Sequence, residues 1–196
     1  MARESRRQIT DIRALRALAD PIRYRIMGHL MAVGPQTASQ CAEIVGATPS
    51  NCSYHLRELA KYGLVERVER VESGVDDGRE RPWRPTATGF SYGVPDSELA
   101  DPAAALANRQ LIHAGVDDEA ALAHAAVEQH ADLPSAWREA ETMATYGLLI
   151  APAELTAIYA AVDALIRPYI ALTREDASGD ARAVHASFSA YRRPGS

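Results

Sequence analysis

The stretch TASQCAEIVGATPSNCSYHLRELAKYGLVERV, residues 37–68, decides how this chain is read. Thr37 stands where a helix cap belongs: its hydroxyl can accept from a first-turn N–H that has no partner inside the helix. Gly46 can take the left-handed conformation that stops such a helix. Thr48-Pro49 then starts a second one, with threonine as cap and proline in the first turn, where its missing N–H costs nothing. Gly63 ends that helix just before Leu64 and Val65 open an extended stretch. Two short helices across a tight turn make a helix-turn-helix, the plan in which the second helix enters the major groove of DNA.

The face of the second helix carries the functional signal. At about 100° per residue, Cys52, Leu56 and Leu59 fall on one side and are expected inward. Ser50, Tyr54, Arg57 and Lys61 fall opposite, with Asn51 and Glu58 on one flank and Ser53 on the other. Serine, asparagine and arginine are hydrogen-bonding groups suited to phosphates and base edges. Taken alone, the same face also fits an ordinary solvated helix.

The residues that follow bear on that choice. Residues 64–71 are valine-rich, but their periodicity fits helix and strand alike. A turn-prone run, residues 72–78, separates them from RERPWRPT, residues 79–86. Two extended segments around a Gly/Asp loop read as a β-hairpin. A helix-turn-helix backed by a basic hairpin is a winged helix, with Arg79 and Arg81 on the wing, in reach of phosphate or the minor groove. Asp76 and Asp77 read as solvated turn residues.

Three ordered motifs, ALADPIRYRIMGHL (17–30), SYHLRELAKYGLVE (53–66) and GRERPWRPTATGF (78–90), resemble those of the ArsR-type winged-helix repressors. The resemblance covers residues 9–90. It implies that Ser50, Asn51, Ser53, Tyr54 and Arg57 occupy DNA-reading positions and that Arg79 and Arg81 form the wing. It also implies a homodimer on an inverted repeat, with half-sites about one helical turn, ~34 Å, apart.

The chain departs from the metal-sensing members of that family. Their Cys-x-Cys pair is matched here by Thr37 and Ser39, and Cys41 and Cys52 read as buried structural residues. A second family metal site draws on the helix after the wing, where this chain has His113, Asp117, His124, Glu128 and His130. The first half of that pattern is missing, and His113/Asp117 and His124/Glu128 are also ordinary i,i+4 neighbours. No metal and no cofactor is expected. Nor is an enzyme: there is no phosphate-cradling glycine loop, nucleophile elbow or zinc spacing.

Charge is divided along the chain. The whole carries −5, but residues 1–90 hold 14 Lys/Arg against 11 Asp/Glu, a net of +3, and residues 91–196 hold 7 against 15, a net of −8. The positive excess lies where DNA contacts are expected. Arg3, Arg6 and Arg7 read as a loose arm adding phosphate contacts or as a frayed tail. No secretory segment follows Met1 and no apolar run reaches membrane-spanning length, since residues 147–153 are too few. With two unpaired cysteines, this points to the cytoplasm.

Around the motif, Thr10 or Asp11 caps a helix through Ile12, Leu15 and Leu18, and Asp20-Pro21 starts another with Ile22, Ile26 and Leu30 inward. Asp101-Pro102 opens an alanine-rich helix reaching about His130, with Leu106, Leu111, Gly115, Leu122 and Ala126 tending to one face and proposed as an intersubunit seam. Gly115 is also a point where that helix can stop and restart. Ser135 caps a segment with Trp137. Residues 152–172 read as an amphipathic helix with Leu155, Ile158, Tyr159, Val162, Leu165 and Ile166 inward. Residues 146–150 and 181–191 read as strands that pair, the latter on its period of two. Trp137, Tyr146, Tyr159 and Tyr169 line an effector pocket or, more simply, fill a core.

The expected fold is mainly α with a small β component: a winged helix-turn-helix domain over residues 1–92 and a mostly helical dimerisation or effector region over 93–196, with one or two short strands. The expected function is that of a sequence-specific transcriptional regulator, a homodimeric repressor binding double-stranded DNA. Whether a small-molecule effector exists is left open. The alternatives are a metal- or thiol-responsive sensor of the same family and a winged helix that binds protein and not DNA.

Overall fold

The computed structural model describes residues 6–68, 80–92 and 100–193. In chain order its elements are β1 (Arg7–Ile9), α1 (Ile12–Leu18), α2 (Pro21–Val33), α3 (Ala38–Val45), α4 (Pro49–Lys61), β2 (Val65–Arg67), β3 (Trp83–Pro85), β4 (Phe90–Tyr92), α5 (Pro102–Gln129), α6 (Ser135–Ala140) and α7 (Pro152–Ile166). Short 3-10 turns follow α5 and α7.

The helix starts obey their caps. Asp11, Asp20, Thr37, Thr48 and Asp101 each accept a first-turn N–H through the side chain, and Pro21, Pro49 and Pro102 open their helices. Thr37 and Gln40 form a reciprocal capping box. Gly46 and Gly63 both have positive φ, 66° and 63°, as the turn after α3 and the exit from α4 require.

Two small sheets frame the helices. β2 and β3 pair antiparallel with Val65 opposite Pro85 and Arg67 opposite Trp83, and Gln36 adds a bridge to Trp83. β1 lies parallel to β4, with Arg7 opposite Phe90. The core between them is built from Leu15, Leu18, Ile26, Leu30, Leu56, Leu59 and Leu64, all 2% exposed or less. Burying each such side chain contributes about 1.5–3 kcal/mol.

The long α5 belongs partly to this core. Ala104, Ala107, Leu111 and Ala114 form its buried stripe and pack on α1 and α2, so the core runs past residue 92. Of the stripe expected to form an intersubunit seam, Leu111 is buried within the chain, while Leu106, Leu122 and Ala126 stand exposed, as residues kept for a second chain also would. Helix continuity through Gly115 is also kept. A Cβ there would lie 2.9 Å from the Tyr24 hydroxyl, so the small residue serves the α2–α5 crossing within one chain.

The C-terminal expectations fare differently. Residues 146–150 and 181–191 form no strand and are exposed. Alternation stabilises a strand only where a neighbouring edge and a core face receive it. Helix α7 ends at Ile166, short of Leu172, and none of its residues is buried. Ser135 is the first residue of α6, not its cap. Trp137 is half-buried and Tyr146, Tyr159 and Tyr169 are exposed, so within one chain these aromatics fill neither core nor pocket. No helix among the described residues is long and apolar enough to cross a membrane.

Candidate nucleic-acid interface

Helix α4 is held by its inner face. Cys52, Leu56 and Leu59 are buried, as their spacing predicts, and α3 packs along it. His55 is buried too, which the sequence reading missed. A histidine one place from Leu56 falls on the edge of the apolar stripe, the one signal available. Its Nδ1 lies 3.7 Å from Asp20 Oδ1 and has no hydrogen-bond partner. Burial pushes the imidazole below its ordinary pKa, outweighing the opposing pull of Asp20.

The outer face carries the expected residues. Ser50, Asn51, Tyr54, Arg57 and Lys61 are exposed, and Ser53 is half-buried. Tyr54 sets its ring edge-on to His55, centroids 5.3 Å apart, which ties an outward residue to the core. Arg57 uses Nε to donate to the Ser53 carbonyl at 3.0 Å, one of its five N–H donors. That bond orients the guanidinium along the helix. Lys61 is committed differently: it pairs with Glu58 one turn back, and this bond raises its pKa. Of the outer set, Lys61 therefore has its charge met by a neighbour.

The wing supplies a second group of cations. Arg84 pairs with Glu66 across β2–β3 at 2.8 Å. Arg81 is exposed and donates to the Val68 carbonyl at 3.3 Å. Arg79 and the turn with Asp76 and Asp77 lie outside the described residues. Arg67, which the sequence reading passed over, stacks its guanidinium 4.1 Å from the centre of the Trp83 ring and donates to the Arg81 carbonyl. Its pKa is lowered by burial first, then by the like charges of Arg81 and Arg57, with Glu80 pulling the other way. Arg57 on α4 and Arg67 and Arg81 on the wing thus share one field of positive charge. The signal was present as arginines at both ends of the hairpin, but their pairing depends on register.

The N-terminal arginines are not loose. Strand alternation sends Arg7 to the carbonyls of Gly63 and Tyr62, at 2.6 and 3.3 Å, closing the end of α4. Arg6 goes to Asp163 at 2.8 Å and Tyr159 at 2.9 Å on α7. β1 is therefore a brace between α4 and the C-terminal half; Arg3 lies outside the described residues.

The cysteines are both buried, and burial raises both thiols, Cys41 to about 12 with further pressure from Cys52 and Glu80. A thiol held so far up is protonated at neutral pH and a poor metal ligand. Among the described residues, no group of three or more His, Cys, Asp or Glu is placed to hold a metal ion.

Fold and site together define a winged helix-turn-helix domain. Residues 18–68 match the family described as a helix-turn-helix domain, which spans the helix pair and runs into the wing. Among solved structures, the chain is similar at 21% identity to the homodimeric winged helix-turn-helix DNA-binding domain of a possible ArsR-family transcriptional regulator from Mycobacterium bovis. That match covers 61% of this chain and 80% of the other, with a TM-score of 0.32. It is similar at 17% identity to the PcaV transcriptional regulator from Streptomyces coelicolor, solved with its natural ligand, over 73% of this chain and 74% of that one, TM-score 0.30. No curated protein matches the chain significantly.

Proposed function

We propose that this protein is a sequence-specific DNA-binding transcriptional regulator that acts as a homodimeric repressor on an inverted repeat. The observation that carries the reading is the shared positive field of Arg57, Arg67 and Arg81, set beside an outward face of Ser50, Asn51 and Tyr54. Glu80 offsets part of the charge at Arg67, and arginines gathered on one face are relieved further by phosphate, which is what a duplex backbone presents. In this reading the arginines of the wing, with Arg79, position the protein on the backbone. Ser50, Asn51, Ser53, Tyr54 and Arg57 meet base edges as α4 enters the major groove. Lys61 contributes only after leaving Glu58. The geometry favours this over a protein-binding module, because that role needs no such accumulation of one charge. A metal- or thiol-responsive sensor finds no support in the raised pKa of both thiols.

The test is selection of bound fragments from genomic DNA, followed by titration of the selected site at several salt concentrations. Affinity is expected to fall steeply with salt as counterions are released. Arg57→Ala is expected to cost about 1–3 kcal/mol per half-site and to relax base preference. Salt-insensitive association, or unchanged preference in Arg57→Ala, would reject the role.

A further inference from the structure

The C-terminal end of α4 leaves carbonyl acceptors that the helix itself cannot fill. Arg7 donates to two of them, through Nη1 to Gly63 at 2.6 Å and through Nη2 to Tyr62 at 3.3 Å. Thr86 closes on the same turn from the end of β3. Its hydroxyl donates to the Gly63 oxygen at 2.7 Å and its N–H to the Leu64 oxygen at 3.1 Å. The fit leaves no room for a side chain at position 63, where φ is 63° and a Cβ would stand 3.3 Å from Arg7 Nη1. Arg7 is half-buried. Its cation lies at the end of α4, where the helix dipole favours positive charge.

The strand that carries Arg7 is itself fixed. Arg7 N donates to the Gly89 oxygen at 3.0 Å, β1 stays in register with β4 from Arg7–Phe90 to Ile9–Tyr92, and Ile9 is buried in the core. Successive side chains of an extended chain leave in opposite directions. Arg6 accordingly reaches away from α4: its Nη1 lies 2.8 Å from Asp163 Oδ1 and 2.9 Å from the Tyr159 hydroxyl on α7. One peptide bond thus separates a clamp on α7 from a clamp on α4. Helix α7 buries none of its side chains. Its place rests on few contacts, the condition under which a segment shifts at small cost.

We propose that Arg7 is a positioning residue for base reading and that Asp163 and Tyr159 act on α4 through it. Arg7 holds the end of α4, and with it the direction in which Ser50, Asn51, Tyr54 and Arg57 are presented, without itself meeting DNA. Arg6 makes that hold depend on where α7 stands. Helix α7 thereby becomes a determinant of DNA affinity, although it lies far outside the matched residues 18–68. The proposal rests on the DNA reading for its binding readouts, but not for the coupling between segments.

The test is titration of the full chain on the genomic fragment selected above. Arg7→Ala is expected to weaken binding roughly two- to thirty-fold, with the salt slope unchanged. A lost phosphate contact would instead reduce that slope by about one. Arg7→Lys keeps the charge without the fork of donors and should restore part of the affinity. Asp163→Ala discriminates by sign: removing an acid raises affinity for a polyanion by simple electrostatics, whereas releasing Arg6 lowers it. Tyr159→Phe deletes one hydroxyl and should lower it less. The double variant Arg7→Ala/Asp163→Ala should bind no worse than Arg7→Ala, because both changes act through one contact. A readout free of DNA is hydrogen exchange at Gly63 and Leu64, whose N–H groups bond to the Ala60 and Leu59 oxygens at 2.9 and 3.2 Å. Exchange there should quicken in Asp163→Ala. Unchanged or raised affinity in Asp163→Ala, additive losses in the double variant, or a reduced salt slope in Arg7→Ala would each overturn the proposal. If the wild type binds no fragment, the DNA reading fails, and exchange at Gly63 and Leu64 alone decides the coupling, an unchanged rate sinking it.

Discussion

Residues 6–114 and residues 115–193 make opposite use of similar material. The first region sends Leu15, Ile26, Leu30, Leu56 and Leu59 into one core, where none is exposed. The second contains α7, more apolar along its length than α4 or α5, yet buries none of it. The difference teaches that an apolar stripe states a demand for a partner without naming it. In the N-terminal region α2, α3 and α4 follow one another across short capped turns and pack together, and α1 is completed by the first half of α5. After Ala114 the helices outrun what one chain can cover.

That contrast can be broken by mutation. The largest effect is expected in the first region: Leu56→Ala removes a fully buried side chain on α4 and should cost about 2–5 kcal/mol in denaturant unfolding. An equally small loss there and at Leu149→Ala, in a monomeric background, would erase the distinction between the two regions. The boundary is sharpened at Gly115, where α5 still leans on α2. Gly115→Val drives a branched side chain against Tyr24 and should cost about 1–3 kcal/mol by thermal unfolding. Gly147→Val meets nothing within 4 Å and should cost far less. The caps come next. Thr48→Ala leaves the Asn51 N–H of α4 without its acceptor and should lower stability by about 1 kcal/mol.

The smallest effect is a slope with pH. Burial holds His55 and His29 below the ordinary imidazole value of 6.5. The unfolded chain therefore binds more protons than the folded one once the pH falls below about 6.5. Stability should be flat between pH 8 and 7 and decline toward pH 5, by at most about 1.4 kcal/mol per pH unit for each histidine. His55→Gln should flatten the decline in a series of denaturant midpoints. A slope unchanged in that variant would mean that other groups dominate.

Much of the candidate site was legible because its determinants are local. Thr37, Gly46, Thr48-Pro49 and Gly63 act within a turn of where they stand, so they mark the ends of α3 and α4 in any surrounding. Helical spacing then orders Ser50, Asn51, Tyr54 and Arg57 on one face and Cys52, Leu56 and Leu59 on the other. Arg67 was passed over because its place depends on strand register, which sets it on Trp83 sixteen residues on. His55 was missed because the burial of an edge position depends on what packs beside it. The stripe by which α5 packs on α1 and α2, Ala104, Ala107, Leu111 and Ala114, was not foreseen because alanines give little contrast for finding a face.

The amino-acid order by itself determined the capped helix pair and its outward polar face, since each follows from contacts a few residues apart; the hairpin behind them was read from its turn-prone loop, and its strands meet across sixteen residues or more. Only the tertiary structure decided that Arg6 and Arg7 brace α7 and α4, that Arg57 meets the field of the wing, and that α5 gives its small residues to α2. Those outcomes rest on approach between distant segments, where burial and charge are shared by residues that no local pattern links.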